Sequence, residues 1–272
     1  MAPGSELEPP LLIITSRALR LVAGLGTAPG SLSGATVVVL GGPPPADPAW
    51  RTLRSVPAVN CTRLEAVRDA RGALSKYPGR SVVLYDQEAW DLTPQHERRD
   101  PAAYVRRAAE ELRGTAISLA AAPSLTLAEA VAPSGSPEAA YFASGVVEAM
   151  SPWCQVMHVQ SQRLERSPQR YAAFVTEAAR RSRLANPSVL VTAGLSTNPP
   201  GQPVTLGQLQ ACVAATHPAV DGYWLNVPRP GRRCPHCNPE NPTLAAALIE
   251  SPAGQGAVVG LDRLDHRLNE RS

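Results

Sequence analysis

Asp86 and Glu88 are the residues best placed to do chemistry, in the segment SVVLYDQEAW at positions 81–90. An apolar run leads into them. Side chains alternate along a strand, so the two acids share one face with Val82 and Leu84. If that face lines a closed pocket, burial and mutual repulsion would keep one carboxyl protonated beside an ionised partner, the pairing that general acid catalysis needs near neutral pH. The plainer reading makes them solvated acids that open a loop or cap a neighbouring helix.

Other polar residues fall at similar places. In QVMHVQSQ, residues 155–162, His158 and Gln160 share a face, and Gln160 and Gln162 have the character of pocket hydrogen-bonders. Asn198 follows a second apolar run, and Trp224 and Asn226 sit two apart in GYWLN. A strand histidine is more often structural than catalytic, and Trp224 has ordinary packing as its rival explanation. Trp90 and Trp224 would supply an apolar platform for a sugar face or a cationic intermediate. Trp153, placed ahead of its strand, is expected at the opposite mouth.

A different chemistry is also open. Asp86, Glu88 and Asp91 would hold Mg²⁺, while Arg163, Arg229, Arg232 and Arg233 grip a diphosphate or phosphodiester, because Mg²⁺ favours few carboxylates plus phosphate oxygens and guanidinium matches phosphate bidentately. The same arginines read equally as solvated side chains of an arginine-rich protein. Cys234 and Cys237 form a C-x-x-C pair in a loop rich in proline. A structural zinc site needs four ligands, and no second pair exists. A loop-stabilising disulfide or dithiol, a metal site, a redox pair and incidental cysteines all stay open, whereas Cys61, Cys154 and Cys212 read as small buried thiols.

Elements must bring these residues together. Eight short apolar runs read as strands, at 11–15, 36–41, 58–61, 81–88, 116–122, 155–160, 188–195 and 222–227. Amphipathic stretches separate most of them, at 62–74, 101–113, 137–150, 168–184, 206–216 and 243–249. The 101–113 helix has Asp100 as N-cap, Pro101 in its first turn and Gly114 as its stop. Residues 18–34 define a helix poorly. Strand–helix repetition implies a parallel sheet, and eight repeats in a chain of this length favour a single (β/α)₈ TIM-type barrel over an open doubly wound sheet. We assign residues 1–10 to a flexible N-terminal segment, 11–255 to the barrel and 256–272 to a C-terminal tail. In such a barrel, residues at the C-terminal strand ends meet at one mouth, where the site is expected.

Composition narrows the function classes. The chain has 272 residues, and its net charge of +3 is small for that length and not gathered into runs, which argues against nucleic-acid binding. No apolar run approaches the roughly 18 residues needed to cross a bilayer, and the N-terminus lacks a positively charged leader. We expect a cytoplasmic protein acting on a small molecule. Lys76 is the single lysine, and the abundance of Ala, Pro, Gly and Arg is the usage of a high-GC bacterial genome.

The last two-thirds of the chain resembles chitinase-type glycoside hydrolases (family 18). Asp86-Gln87-Glu88 is similar to the end of that family's D-G-x-D-x-D-x-E strand, residues 118–123 to its next strand, Gln155-Val156-Met157 to its sixth, and Trp224 to its barrel-floor tryptophan. Ser81 and Leu84 stand where the family has earlier acids, and Val159 and Gln160 where it has Tyr and Asp. The resemblance implies Glu88 as general acid and Asp86 as its orienting partner; on this reading we expect no cofactor, with Mg²⁺ as the alternative. The chain also resembles actinobacterial barrel proteins. Three readings follow: a metal-independent glycoside-type hydrolase or lyase, a Mg²⁺-dependent lyase or cyclase acting on a lipid or isoprenoid diphosphate, and a binding protein with a degenerate barrel site.

Overall fold

A computed structural model describes residues 7, 10–132, 135–231, 234 and 236–259. Most of the assigned 1–10 and 256–272 segments, together with Arg232 and Arg233, lies outside the described residues.

All eight expected strands form. They are β1 (Leu11–Thr15), β2 (Thr36–Leu40), β3 (Arg54–Cys61), β4 (Ser81–Gln87), β5 (Ile117–Pro123), β6 (Val156–Val159), β7 (Leu190–Ser196) and β8 (Gly222–Asn226). Each pairs in parallel with the next, and β8 pairs with β1, so the sheet closes in sequence order as a (β/α)₈ barrel. The alternation of apolar residues explains the two layers of the core. Leu11, Ile13, Val38, Val82, Leu84, Ala120, Val156 and Trp224 point inward and fill the barrel, while Leu12, Ile14, Val37, Val83 and Val191 point outward to the helices. At the seam, Gly222 stands opposite Leu11, and a Cβ at that position would overlap the Leu11 backbone, so only glycine permits this closure.

The helices are α1 (Ser16–Gly24), α2 (Leu64–Leu74), α3 (Gln95–Arg99), α4 (Pro101–Leu112), α5 (Leu125–Val131), α6 (Pro137–Ala143), α7 (Val146–Met150), α8 (Pro168–Ala185), α9 (Leu206–Thr216), α10 (Pro242–Glu250) and α11 (Pro252–Val259). Asp100 caps α4 through the Ala103 N–H, as the sequence predicts. The stretch 137–150 is two helices instead of one, because Gly145 adopts φ +66° and breaks the ladder. Residues 18–34, which looked irregular, contain α1, N-capped by the Thr15 side chain, and a short 3₁₀ turn at Pro29–Leu32.

Candidate functional site

Asp86 is the last inward-facing residue of β4, in register with Ala122 of β5, and it is 6% exposed. Gln160, just past the end of β6, donates its side-chain N–H to Asp86 Oδ1 at 2.7 Å and to the Ala122 carbonyl at 2.9 Å. Asn60 of β3 donates to Asp86 Oδ2 at 3.2 Å. Both carboxylate oxygens therefore accept from neutral amides on separate strands, an arrangement suited to an ionised acid that must stay in one orientation. Gln160 was expected here. Asn60 was not, although a polar residue near the C-terminal end of an apolar strand was the available signal.

The inner face of the barrel also holds an aromatic pair. His158 and Trp224 both face inward, with ring centroids 4.9 Å apart and planes tilted by 57°. His158 is fully buried, and burial pushes its pKa down to about 3, so the imidazole is neutral. Its Nδ1 lies 3.0 Å from Thr192 Oγ1. Its Nε2 and the indole N–H of Trp224 have no hydrogen-bond partner among the described residues.

At the rim, Glu88 follows the end of β4 and is half-buried. Its backbone N–H donates to Thr93 Oγ1 at 3.2 Å, and the Trp90 indole N–H donates to the same hydroxyl at 3.2 Å, so Thr93 holds this turn in shape. Trp90 is thereby fixed at the rim. Asp91 is exposed, and among the described residues no three His, Cys, Asp or Glu side chains gather as a metal-binding group, so Asp86, Glu88 and Asp91 do not form the expected metal triad. Trp153 lies ahead of β6 with the Arg106 guanidinium 5.0 Å from its ring centroid, a packing position.

The loops after β7 and β8 are stapled together. Asn198 donates to the Pro228 and Asn238 carbonyls, both at 2.7 Å, and its Oδ1 accepts from Thr197; Asn238 donates in turn to the Pro199 and Gly201 carbonyls. The Asn198 amide is thus committed to holding loops, which corrects its assignment to substrate binding. Asn226 ends β8, half-buried, and its carbonyl accepts from the Thr197 N–H at 3.0 Å. Cys234 and Cys237 are joined in a disulfide, and Cys234 makes an isolated bridge with Gly231, so the pair restrains this loop as one of the sequence readings expected. Arg17 and Glu240 form an ion pair that ties the start of α1 to the same loop. Arg229 and Arg163 are exposed. Arg163 takes φ +85°, and its N–H donates at 2.6 Å to Glu165.

Two buried acids of the surrounding layer escaped the sequence reading. Glu165, fully buried, also accepts from the Ser196 N–H at 2.7 Å, which joins the loop after β6 to the end of β7; burial outweighs these hydrogen bonds and pushes its pKa up to about 7. Glu97 of α3 accepts from the Tyr85 hydroxyl and, at 3.1 and 3.2 Å, from the N–H of Leu64, the first residue of α2. A carboxyl at that position caps a helix whose own Arg63 makes no side-chain cap.

No protein-family model matches this chain, and the search of curated proteins found no match. Among solved structures, the chain is similar to the catalytic domain of a hyperthermophilic chitinase from Pyrococcus furiosus, at 11% identity and a TM-score of 0.49 over 91% of this chain and 96% of that one. It is also similar to a Coccidioides immitis protein described as a candidate fructose-1,6-bisphosphate aldolase, at 14% identity and a TM-score of 0.43 over 92% and 87% of the two chains. A short-chain dehydrogenase from Oenococcus oeni matches at 9% identity and a TM-score of 0.28 over 81% of this chain and 96% of that one. These likenesses are too distant to carry function, and the barrel assignment rests on the chain's own strand pairing.

Proposed function

We propose that this barrel hydrolyses a glycoside-like bond, with Glu88 as general acid at the rim and Asp86 as its fixed, ionised partner. The observation that carries this reading is the grip on Asp86, a buried carboxylate at the barrel mouth whose two oxygens are held by amides from β3 and from the end of β6. Burying a charge is costly unless it is hydrogen-bonded, and here it lies two residues from a half-buried acid on the same strand line. Glu88 would give its proton to the leaving oxygen as the C–O bond breaks. Asp86 would stabilise the positive charge that develops on carbon, and an entering water would return a proton to Glu88. Trp90 and Trp224 offer apolar faces, and Asn226 a polar edge, around that position. Neither step needs a metal.

The test is turnover of a panel of nitrophenyl glycosides with and without EDTA. We expect activity insensitive to EDTA and a loss of about 10²-fold or more in kcat for Glu88→Gln, the scale for removing a general acid. Unchanged turnover in that variant defeats the assignment of Glu88. Loss of wild-type activity in EDTA favours the Mg²⁺-dependent alternative. Binding without turnover on any glycoside favours a degenerate site.

A further inference from the structure

The inner face of β7 has a gap that another residue fills. Gly194 is in register with the inward-facing Trp224, while its neighbours Ala193 and Leu195 face the helices. A Cβ on Gly194 would overlap the Gln162 carboxamide, so the end of that side chain occupies the place where a side chain of β7 would otherwise stand. Gln162 therefore turns back from the loop after β6 into the barrel mouth. The Gly194 peptide cannot shift to make room, since its N–H donates to Ser161 Oγ at 3.0 Å and its carbonyl accepts from Ser161 at 2.9 Å and from Tyr171 at 3.1 Å.

Gln162 is half-buried, and its amide makes no hydrogen bond to any described residue. On the same side of the mouth, the buried Trp224 indole N–H and His158 Nε2 are also unpartnered. Three uncharged hydrogen-bonding groups, from β6, the loop that follows it and β8, thus stand unused on the inner side of the barrel.

We propose that Gln162, seated in the Gly194 notch, is a substrate-contacting residue that selects an uncharged group bearing hydroxyls or an amide. A primary carboxamide both donates and accepts, as such a group requires, and it offers no charge to an anion. The neutrality of His158 has the same consequence. The proposal rests on the barrel mouth being the binding site, though not on the hydrolytic chemistry proposed for it.

The experiment follows the side-chain amide resonance of Gln162, assigned by its loss in Gln162→Ala, during titration of the full chain with cellobiose, N-acetylglucosamine and glucose 6-phosphate. We expect the resonance to shift with at least one neutral sugar. Gly194→Ala should displace the flexible carboxamide with little change in thermal stability, abolish that shift and weaken binding of the same sugar about fivefold or more, the order expected for a lost hydrogen bond. Equal binding by Gly194→Ala, tighter binding of glucose 6-phosphate than of either neutral sugar, or no shift with any of the three overturns the proposal. A shift without turnover of any glycoside leaves Gln162 its role and removes only the hydrolytic reading.

Discussion

Asp86 and Glu165 are both buried acids at the C-terminal end of the barrel, yet different groups hold them. Side-chain amides from separate strands grip Asp86 on the inner face, where the mouth opens. Backbone N–H groups grip Glu165 in the surrounding loop layer, where it joins two chain segments, and Glu97 does similar work for β4 and α2. Burial alone does not mark a functional carboxyl. An acid tied to backbone donors restrains the chain, whereas one tied to side chains within a barrel mouth is oriented towards whatever enters.

If that contrast is right, substitutions in the two places should separate stability from activity. The largest effect is expected for Glu97→Ala, which leaves the buried Tyr85 hydroxyl and the Leu64 N–H without their acceptor. At about 1–3 kcal/mol for each unsatisfied group, roughly 2–6 kcal/mol of stability should be lost in chemical denaturation, with the remaining folded protein keeping the activity proposed for the barrel mouth. Asp86→Asn should behave in the opposite way, with kcat down about 10²-fold and the denaturation midpoint little changed, because the charge is lost while Asn60 can turn its amide so that its unpartnered oxygen accepts from the new N–H. Equal stability losses in both variants would erase the distinction.

Glu165 sharpens the contrast through pH. Its folded-state pKa, near 7, lies above the ordinary value of 4.5, so the folded state favours the protonated acid. This stabilising contribution is complete below about pH 4.5 and fades as pH rises to about 7. Glu165→Gln should remove that decline. Wild type should lose on the order of 3 kcal/mol relative to the variant across this window, measured by denaturation at several pH values. A pH-independent difference would show that the two N–H groups, rather than burial, set the charge of Glu165.

Much of the barrel was legible because its apolar runs are short, alternate and recur with helices between them. β1 and α9 begin and end where the pattern places them. The first half of β3 was not visible, since Arg54 and Ser55 are exposed there and Pro57 suggests a loop. Within the site, Asp86 and Gln160 could be anticipated from alternation at strand ends, and the structure brings them into direct contact. The Gln162–Gly194 fit could not, because it depends on which strands become neighbours. Glu97 and Glu165 lie in segments without periodicity, where an acid reads as solvated until a fold buries it. Asn198 was misjudged for a related reason: a strand-end position cannot tell a pocket amide from one that ties two loops.

Closing the barrel at Gly222 also constrains how the chain is made. β1 emerges first and its final neighbour last, so throughout synthesis one edge of β1 has unpaired peptide groups that only β8 can satisfy. Pairing across so many residues forms slowly, and an open strand edge invites association with other chains. A nascent or truncated chain that stops before Gly222 would carry two such edges, on β1 and on β7. Only when β8 is complete through Asn226 does the barrel have no unpaired strand edge.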